Sequence, residues 1–574
     1  MLHRLLILGF GALLGSCELY GQDLNLLWAK GVGGSFSDYG KEIAVDVSGN
    51  VFVAGNFTSG DADFDPGLGT AIHGAGTGGD GYIAKYNSQG DYLWSIFLGA
   101  GGSGHVFDIV LDDTGNVYAC GTLQGTIDFD PGVGSQQLTS LNNQDLFIAK
   151  YSGQGDFRWA NRLAGAFFYG NRGAVIAVDQ IGDIIIAGEF EDTCYFSSLP
   201  DSNYIISESS ADLFIAKYSN GGNFQWAKNL VGSPNSNIEG VAVNSLNSIY
   251  ITGFISQGSH DFDPGPDSTI VNATGTISDG YVAKYDVTGN FEWVNWIDAL
   301  SQIYLYDIAI DLNGSVLIAG SFVNQVDMAP NQGTALLNSN YYTGVFAKYS
   351  SEGDYKWAKQ IGSVSNDIAE IYGLAINSSG NIVVSGYFDG FFGPTDFDPS
   401  ADSMNLTASG RDAYLAGYDS LGNFLWVKAI KGIDEQIGYS IAIDNEDVYV
   451  SGTYMDSTFF EADTGNIVLL TPQFSRNIFF AKYEATFTGV EELKQKEMFS
   501  LVYPNPAENW IAFDNEVARP MDVTLYDLTG KQVLIKQLNN SSGNINVGTL
   551  ARGLYIYRVV DANGVIYNGK VAKR

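Results

Sequence analysis

The chain has 574 residues, 70 of them glycine, with 13% aromatic residues, a formal net charge of −35 at pH 7 and a pI near 4.2. So acidic a surface excludes nucleic acid as a partner, because phosphates need Lys and Arg against them. The three cysteines Cys17, Cys120 and Cys194 are too few for a disulfide framework, and the length exceeds one ordinary core, so two domains or one large ring are expected.

Residues 1–21 read as a secretory leader, with Arg4 as the positive flank and Leu5 to Leu14 as an apolar core too short to span a membrane. Cleavage after Gly21, the preferred reading, leaves Gln22 as the first residue. The run Leu14-Gly15-Ser16-Cys17 also resembles a lipobox, which would make Cys17 a lipid-anchored N-terminus.

Residues 22–487 repeat one unit seven times. In the first copy Ile43-Ala44-Val45-Asp46 is a short apolar strand, and Val47-Ser48-Gly49-Asn50 is a turn. Val51-Phe52-Val53-Ala54-Gly55 is a β-branched and aromatic second strand. After a Gly/Asp-rich loop come Tyr82-Ile83-Ala84-Lys85-Tyr86 and Tyr92-Leu93-Trp94. The tryptophans Trp28, Trp94, Trp159, Trp226, Trp293, Trp357 and Trp426 stand 64 to 69 residues apart, the regular period of a repeat array. Four-stranded sheets that are apolar on both faces bury them by radial packing, so the pattern predicts an all-β, seven-bladed β-propeller. The last copy lacks its Trp strand, and Leu26-Leu27-Trp28-Ala29-Lys30 supplies it from the other end of the chain, closing the ring. The unit resembles the bacterial seven-bladed propeller repeat of secreted surface proteins, a likeness specific for fold and permissive for function.

Residues 488–498 form a charged linker, and residues 499–574 a separate small domain with alternating strands that fit an Ig-like β-sandwich. Here six acids meet eight bases, so the acidity resides in the repeats. Tyr503-Pro504-Asn505-Pro506-Ala507, the Leu525–Lys531 run ending in Gly530-Lys531, Leu550-Ala551-Arg552-Gly553-Leu554-Tyr555 and the basic terminus resemble the C-terminal sorting domain of type IX secretion cargo. That resemblance implies the type IX secretion machinery as a partner and export across the outer membrane of a Gram-negative bacterium. It also implies removal of the domain and release or surface attachment of the cargo.

Two sets of loops are candidate sites. Before the innermost strand, one variable position holds Tyr39, His105, Arg172, Asn237, Tyr304, Glu370 and Ile437. Two residues on, another holds Lys41, Phe107, Ala174, Glu239, Tyr306, Tyr372 and Tyr439. Converging aromatic and charged groups at a pore mouth suit a glycan or peptide, which selects Tyr39, His105, Arg172, Glu239, Tyr306, Tyr372 and Tyr439 as ligand-binding residues. Relaxed loop sequence without a ligand is the plainer alternative.

Between the second and third strands, Asp-Phe-Asp-Pro recurs, and the first copy extends to Asp61, Asp63 and Asp65. Alternating carboxylates are hard ligands suited to Ca²⁺, although the same residues serve as turn caps with Phe buried. No cofactor beyond that calcium is expected. Four histidines without metal-ligand spacing, and no nucleophile elbow or phosphate loop, leave no catalytic constellation. The sequence therefore predicts a monomeric, secreted or surface-displayed binding or adhesion module rather than an enzyme. A polysaccharide hydrolase or lyase on the same scaffold, and a structural surface-layer role, are the alternatives.

Overall fold

β-branched and aromatic residues in alternation give strands throughout, and no helix occurs among the described residues of this computed structural model. The described residues are 24–487 and 502–574, less single positions and short stretches, the longest being 167–173, 515–520, 198–202 and 363–367. The expected leader, Cys17 and the expected linker lie outside them. The chain divides into two compact units, Met1–Phe487 and Thr488–Arg574.

In the larger unit, the first repeat pairs Asp38–Val45, Val51–Phe57, Asp80–Tyr86 and Tyr92–Leu98 in that order, each antiparallel to the next. The later repeats follow the same plan from their first strands at Gly102–Leu111, Ala174–Val178, Asn237–Val243, Gln302–Ile310, Ile368–Ile376 and Gln436–Asp444. In the last repeat the fourth place is taken by Leu24–Val32, which pairs antiparallel with Arg476–Ala485. The seven first strands touch one another in cyclic order, the last against the first.

The apolar side chains explain that ring. Val51 and Val53 enter a cluster with Phe480 and Ile478 of the last repeat, whereas Phe52 and Ala54 enter another with Val117 and Ala119 of the second. Alternate residues of one strand thus serve two different neighbours, as the pleat requires. Seven such clusters lie between successive repeats, and the one holding Val32, Tyr449 and Tyr82 joins the last repeat to the first. Each fully buried Val, Ile or Phe adds about 1.5–3 kcal/mol, so the seams are the main store of stability.

The recurring polar residues are seam ties. Asp46 accepts the amides of Ser48 and Asn50 at the first turn, and its other oxygen lies 3.2 Å from Lys85 Nζ. Lys85 also donates to the Gly153 carbonyl of the next repeat at 2.9 Å. Lys217 with Asp179 at 2.8 Å and Lys348 with Asp311 at 2.9 Å repeat the ion pair. At Gly417 a Cβ would meet the Trp426 ring at 2.3 Å, so this repeat has ring in place of the lysine. The tryptophans tie outer strands in the same direction: Trp28 Nε1 donates to Ser88 O, Trp94 to Gly153 O, Trp159 to Asn220 O and Trp293 to Ser351 O. Each acceptor sits in the last turn of the following repeat. The final repeat has no such turn, because its fourth strand comes from the other end of the chain. Trp426 Nε1 accordingly finds no acceptor among the described residues, and its ring packs on Phe487 instead.

Cys194 lies buried in the strand Ile184–Tyr195. The sequence expectation and the structure differ at the candidate positions. The candidate positions expected in loops before the innermost strand are residues of that strand itself, as at Tyr39 and His105. Strand length was underestimated there because a bulge breaks the two-residue period.

The smaller unit has two sheets, one of Met521–Tyr526, Gln532–Leu538, Gly553–Asp561 and Ile566–Lys573, the other of Val502–Tyr503, Trp510–Asp514 and Ser542–Asn546. Ile511 and Ile545 of one share a core with Val523, Leu525 and Tyr555 of the other.

Candidate functional site

A single backbone irregularity builds the site. In six of the first strands the register shifts by one residue, at Lys41, Phe107, Glu239, Tyr306, Tyr372 and Tyr439, each the extra residue of a β-bulge. The slip drives the carbonyl two residues earlier onto the glycine of the second strand. A Cβ on Gly55 would lie 2.0 Å from Tyr39 O, on Gly320 1.9 Å from Tyr304 O, and on Gly386 1.8 Å from Glu370 O. Only glycine admits that approach, which explains the glycine in the second strand of these six repeats. Tyr82, Tyr281 and Tyr414 hydroxyls then donate to the displaced carbonyls of Tyr39, Asn237 and Glu370, at 3.1–3.2 Å.

The bulged side chains line a cavity of about 200 Å³ among the first strands. Lys41, Phe107, Ala174, Glu239, Tyr306, Tyr372 and Tyr439 form its wall, and Ile109, Ile176, Leu374 and Ile441, two residues further along their strands, line it beyond. Between the two layers, carboxylates seal the seams. Asp108 accepts Ile176 N at 2.9 Å and Asp307 accepts Leu374 N at 2.7 Å, each from the next repeat. Ser440 takes the corresponding role toward Ile43 N across the closing seam, and its hydroxyl donates to Glu42.

The three tyrosines make one arc. Ring centroids are 5.0 Å apart for Tyr306 and Tyr372 and 5.6 Å for Tyr372 and Tyr439, and Lys41 Nζ lies 4.2 Å from the Tyr439 ring. Burial, aided by Glu370, drives the Tyr306 hydroxyl well above its ordinary pKa, and Tyr439 is pushed up to about 12 chiefly by burial. Both hydroxyls are therefore neutral donors at physiological pH. Glu370 accepts from Tyr387 at 2.5 Å and from Tyr372 at 3.4 Å. Arg411 stacks over Tyr387 and pairs with Glu435, which also holds Arg476; Arg476 in turn donates to the Tyr39 hydroxyl.

Of the ligand-binding residues expected from sequence, Glu239, Tyr306, Tyr372 and Tyr439 are brought together on the cavity wall. Tyr39 and His105 stand beside it: His105 is 6.4 Å from Phe107, its pKa lowered by burial. Arg172 lies outside the described residues. Sequence reasoning named Lys41 and Phe107 as variable positions without selecting them, and it missed Arg411, Glu435 and Arg476. Those three come from separate strands and turns and carry no local pattern.

The aspartate loops are caps. Asp63 Oδ1 accepts the amides of Asp65 and Ala71, Asp65 Oδ1 accepts Gly67 N, and Asp61 accepts the amide and hydroxyl of Ser35. Phe64 is fully buried, and its carbonyl accepts the Tyr86 hydroxyl at 3.0 Å, a clamp repeated at Phe129, Phe262 and Phe397. Among the described residues, no group of three His, Cys, Asp or Glu is placed to hold a metal ion.

In the tail, Tyr555 is buried and donates to Ala551 O at 2.8 Å, Lys531 N closes a turn on Asp527, and Gly553 opens its strand. Tyr503 lies in a short strand; Pro504, Asn505, Pro506 and Gly530 are outside the described residues.

Comparison with known proteins agrees on the tail. Residues 501–573 match the secretion system C-terminal sorting domain, which marks the chain for secretion or surface display. A WD repeat-containing protein of Acanthamoeba polyphaga mimivirus is 24% identical over 469 residues, 70% of this chain; the chain spans about a third of that relative's length. Among solved structures, PorZ, a surface component of the type IX secretion system of Porphyromonas gingivalis, aligns at 10% identity with a TM-score of 0.18, over 95% of this chain and all of PorZ. A Bacteroides caccae protein of unknown function aligns at 10% identity with a TM-score of 0.27, over 62% of this chain and 93% of its own. Scores this low assign no shared fold.

Proposed function

We propose that residues 22–487 are a seven-bladed β-propeller that binds an extracellular glycan or protein without catalysis, delivered by the type IX secretion machinery through the sorting tail. The cyclic order of the first strands and the seven inter-repeat clusters support the propeller. The tail supports the destination. One observation carries the binding role: six bulges, each admitted by a facing glycine, aim variable side chains at one cavity while the rest of every repeat keeps its pattern. A merely structural ring has no need of those bulges, and half-buried tyrosines beside charged groups are what a binding site uses.

The mature chain, exposed to a panel of polysaccharides and matrix proteins, is expected to retain at least one without releasing product. Tyr306→Ala and Tyr372→Ala should each weaken that retention roughly tenfold or more. Product release would replace this reading with a hydrolase or lyase. Undiminished retention by both variants would move the site off the axis.

A further inference from the structure

The wall of the cavity also bears on what group it holds, a step that rests on the binding reading above. Around the axis the lining residues run Ala174, Glu239, Tyr306, Tyr372, Tyr439 and Lys41 in order of repeat. At one end of this arc the chain's own Lys41 ammonium lies 4.2 Å from the Tyr439 ring, so the arc already seats one cation on an aromatic face. At the other end Tyr306 and Tyr372 stand 5.0 Å apart between two carboxylates. Glu239, only 8% exposed, belongs to the preceding repeat and lines the cavity; Glu370 reaches the Tyr372 hydroxyl at 3.4 Å. Ala174 and Gly240, both small, line the cavity with Glu239.

We propose that the Tyr306–Tyr372 end of the cavity seats one primary alkylammonium group, between the Glu239 carboxylate and the two ring faces. Ring quadrupole and carboxylate both attract a cation there and both repel an anion. The long-range field has the same sign, since residues 1–498 carry 58 acids against 21 bases. The apolar layer of Ile176, Leu374 and Ile441 favours an alkyl stem over a bare ion. A volume of about 200 Å³ is smaller than the usual small-molecule site of about 300–1,000 Å³, so the cavity takes one chain end or side chain, not a polymer laid along a groove.

Calorimetric titration of the full mature chain with n-propylammonium, n-propanol and propionate tests this. Propylammonium should bind roughly tenfold or more tightly than the other two. Glu239→Gln, an isosteric change, should erase most of that preference, while Glu352→Gln on an exposed turn should leave it intact. Should Glu239→Gln lower the unfolding midpoint, Tyr306→Leu provides the same readout at a different residue. Equal binding of the three probes, or an unchanged preference in both cavity variants, overturns the proposal. Polymer retention that depends on Tyr306 but shows no ammonium preference would sink this inference alone and leave the binding reading standing. Ammonium binding without retention of any polymer would do the reverse.

Discussion

At the scale of single residues, the glycine inside six of the second strands shows how one missing Cβ positions a side chain on the cavity wall. Gly320 makes room for Tyr304 O, the register shifts at Tyr306, and Tyr306 lines the cavity. The glycines and the variable positions were both legible in the sequence; their connection was not, because it runs across a strand pair through a carbonyl. Glu189 carried no sequence signal at all. It lies 7% exposed on the strand Ile184–Tyr195, and its carboxyl is raised from 4.5 to about 7, first by burial and then by the charges of Glu239 and Glu191. An acid whose folded pKa is raised stabilises the fold below its unfolded pKa, and that contribution is lost as pH rises through the folded value. Stability should therefore fall between pH 4.5 and about 7, by at most about 3 kcal/mol from this group. Urea unfolding across that range should show a shallower slope in Glu189→Gln; an identical slope would mean that Glu189 is not the group responsible.

Among the elements, Leu24–Val32 has the most consequence, since it completes the sheet of the last repeat from the other end of the chain. Its need was legible from the missing Trp strand of the last repeat. The cost it imposes on Trp426, an indole without an acceptor among the described residues, was not, because only the assembled ring shows where a Trp finds its acceptor. Asn25 and Glu484 are direct cross-strand partners and both are exposed. Asn25→Cys with Glu484→Cys should form a disulfide that closes nearly the whole ring. Restricting so long a loop in the unfolded chain stabilises by several kcal/mol, on the order of 4–5. The oxidised variant should melt several degrees higher than its reduced form. An unchanged midpoint would show that this seam is not where unfolding begins.

For the whole molecule, the apolar clusters divide without overlap between the two units, with Ile511, Val523, Leu525 and Ile545 in a core of their own. Separate cores predict separate transitions. Calorimetry should resolve two, and removal of residues 488–574 should leave the larger one within about 2 °C of its position in the full chain. A single transition that shifts markedly on truncation would show that the two units share stability. The sign of the charge also belongs to this scale. The repeats carry the acidity, so added salt should weaken any cationic ligand of the cavity by screening.

The sequence by itself determined the all-β class, the sevenfold period, the strand that completes the last repeat and the sorting tail. Those features are written in local periodicity and in contiguous motifs, which need no neighbours to be read. Only the tertiary structure decided which variable residues meet. Glu239, Tyr306, Tyr372 and Tyr439 lie 66 to 67 residues apart along the chain and become neighbours only when the first strands gather around one axis. The structure likewise decided what the repeated aspartates do: Asp63 and Asp65 spend oxygens on backbone amides. A carboxylate's partner is set by geometry within about 3 Å, and no residue spacing specifies that.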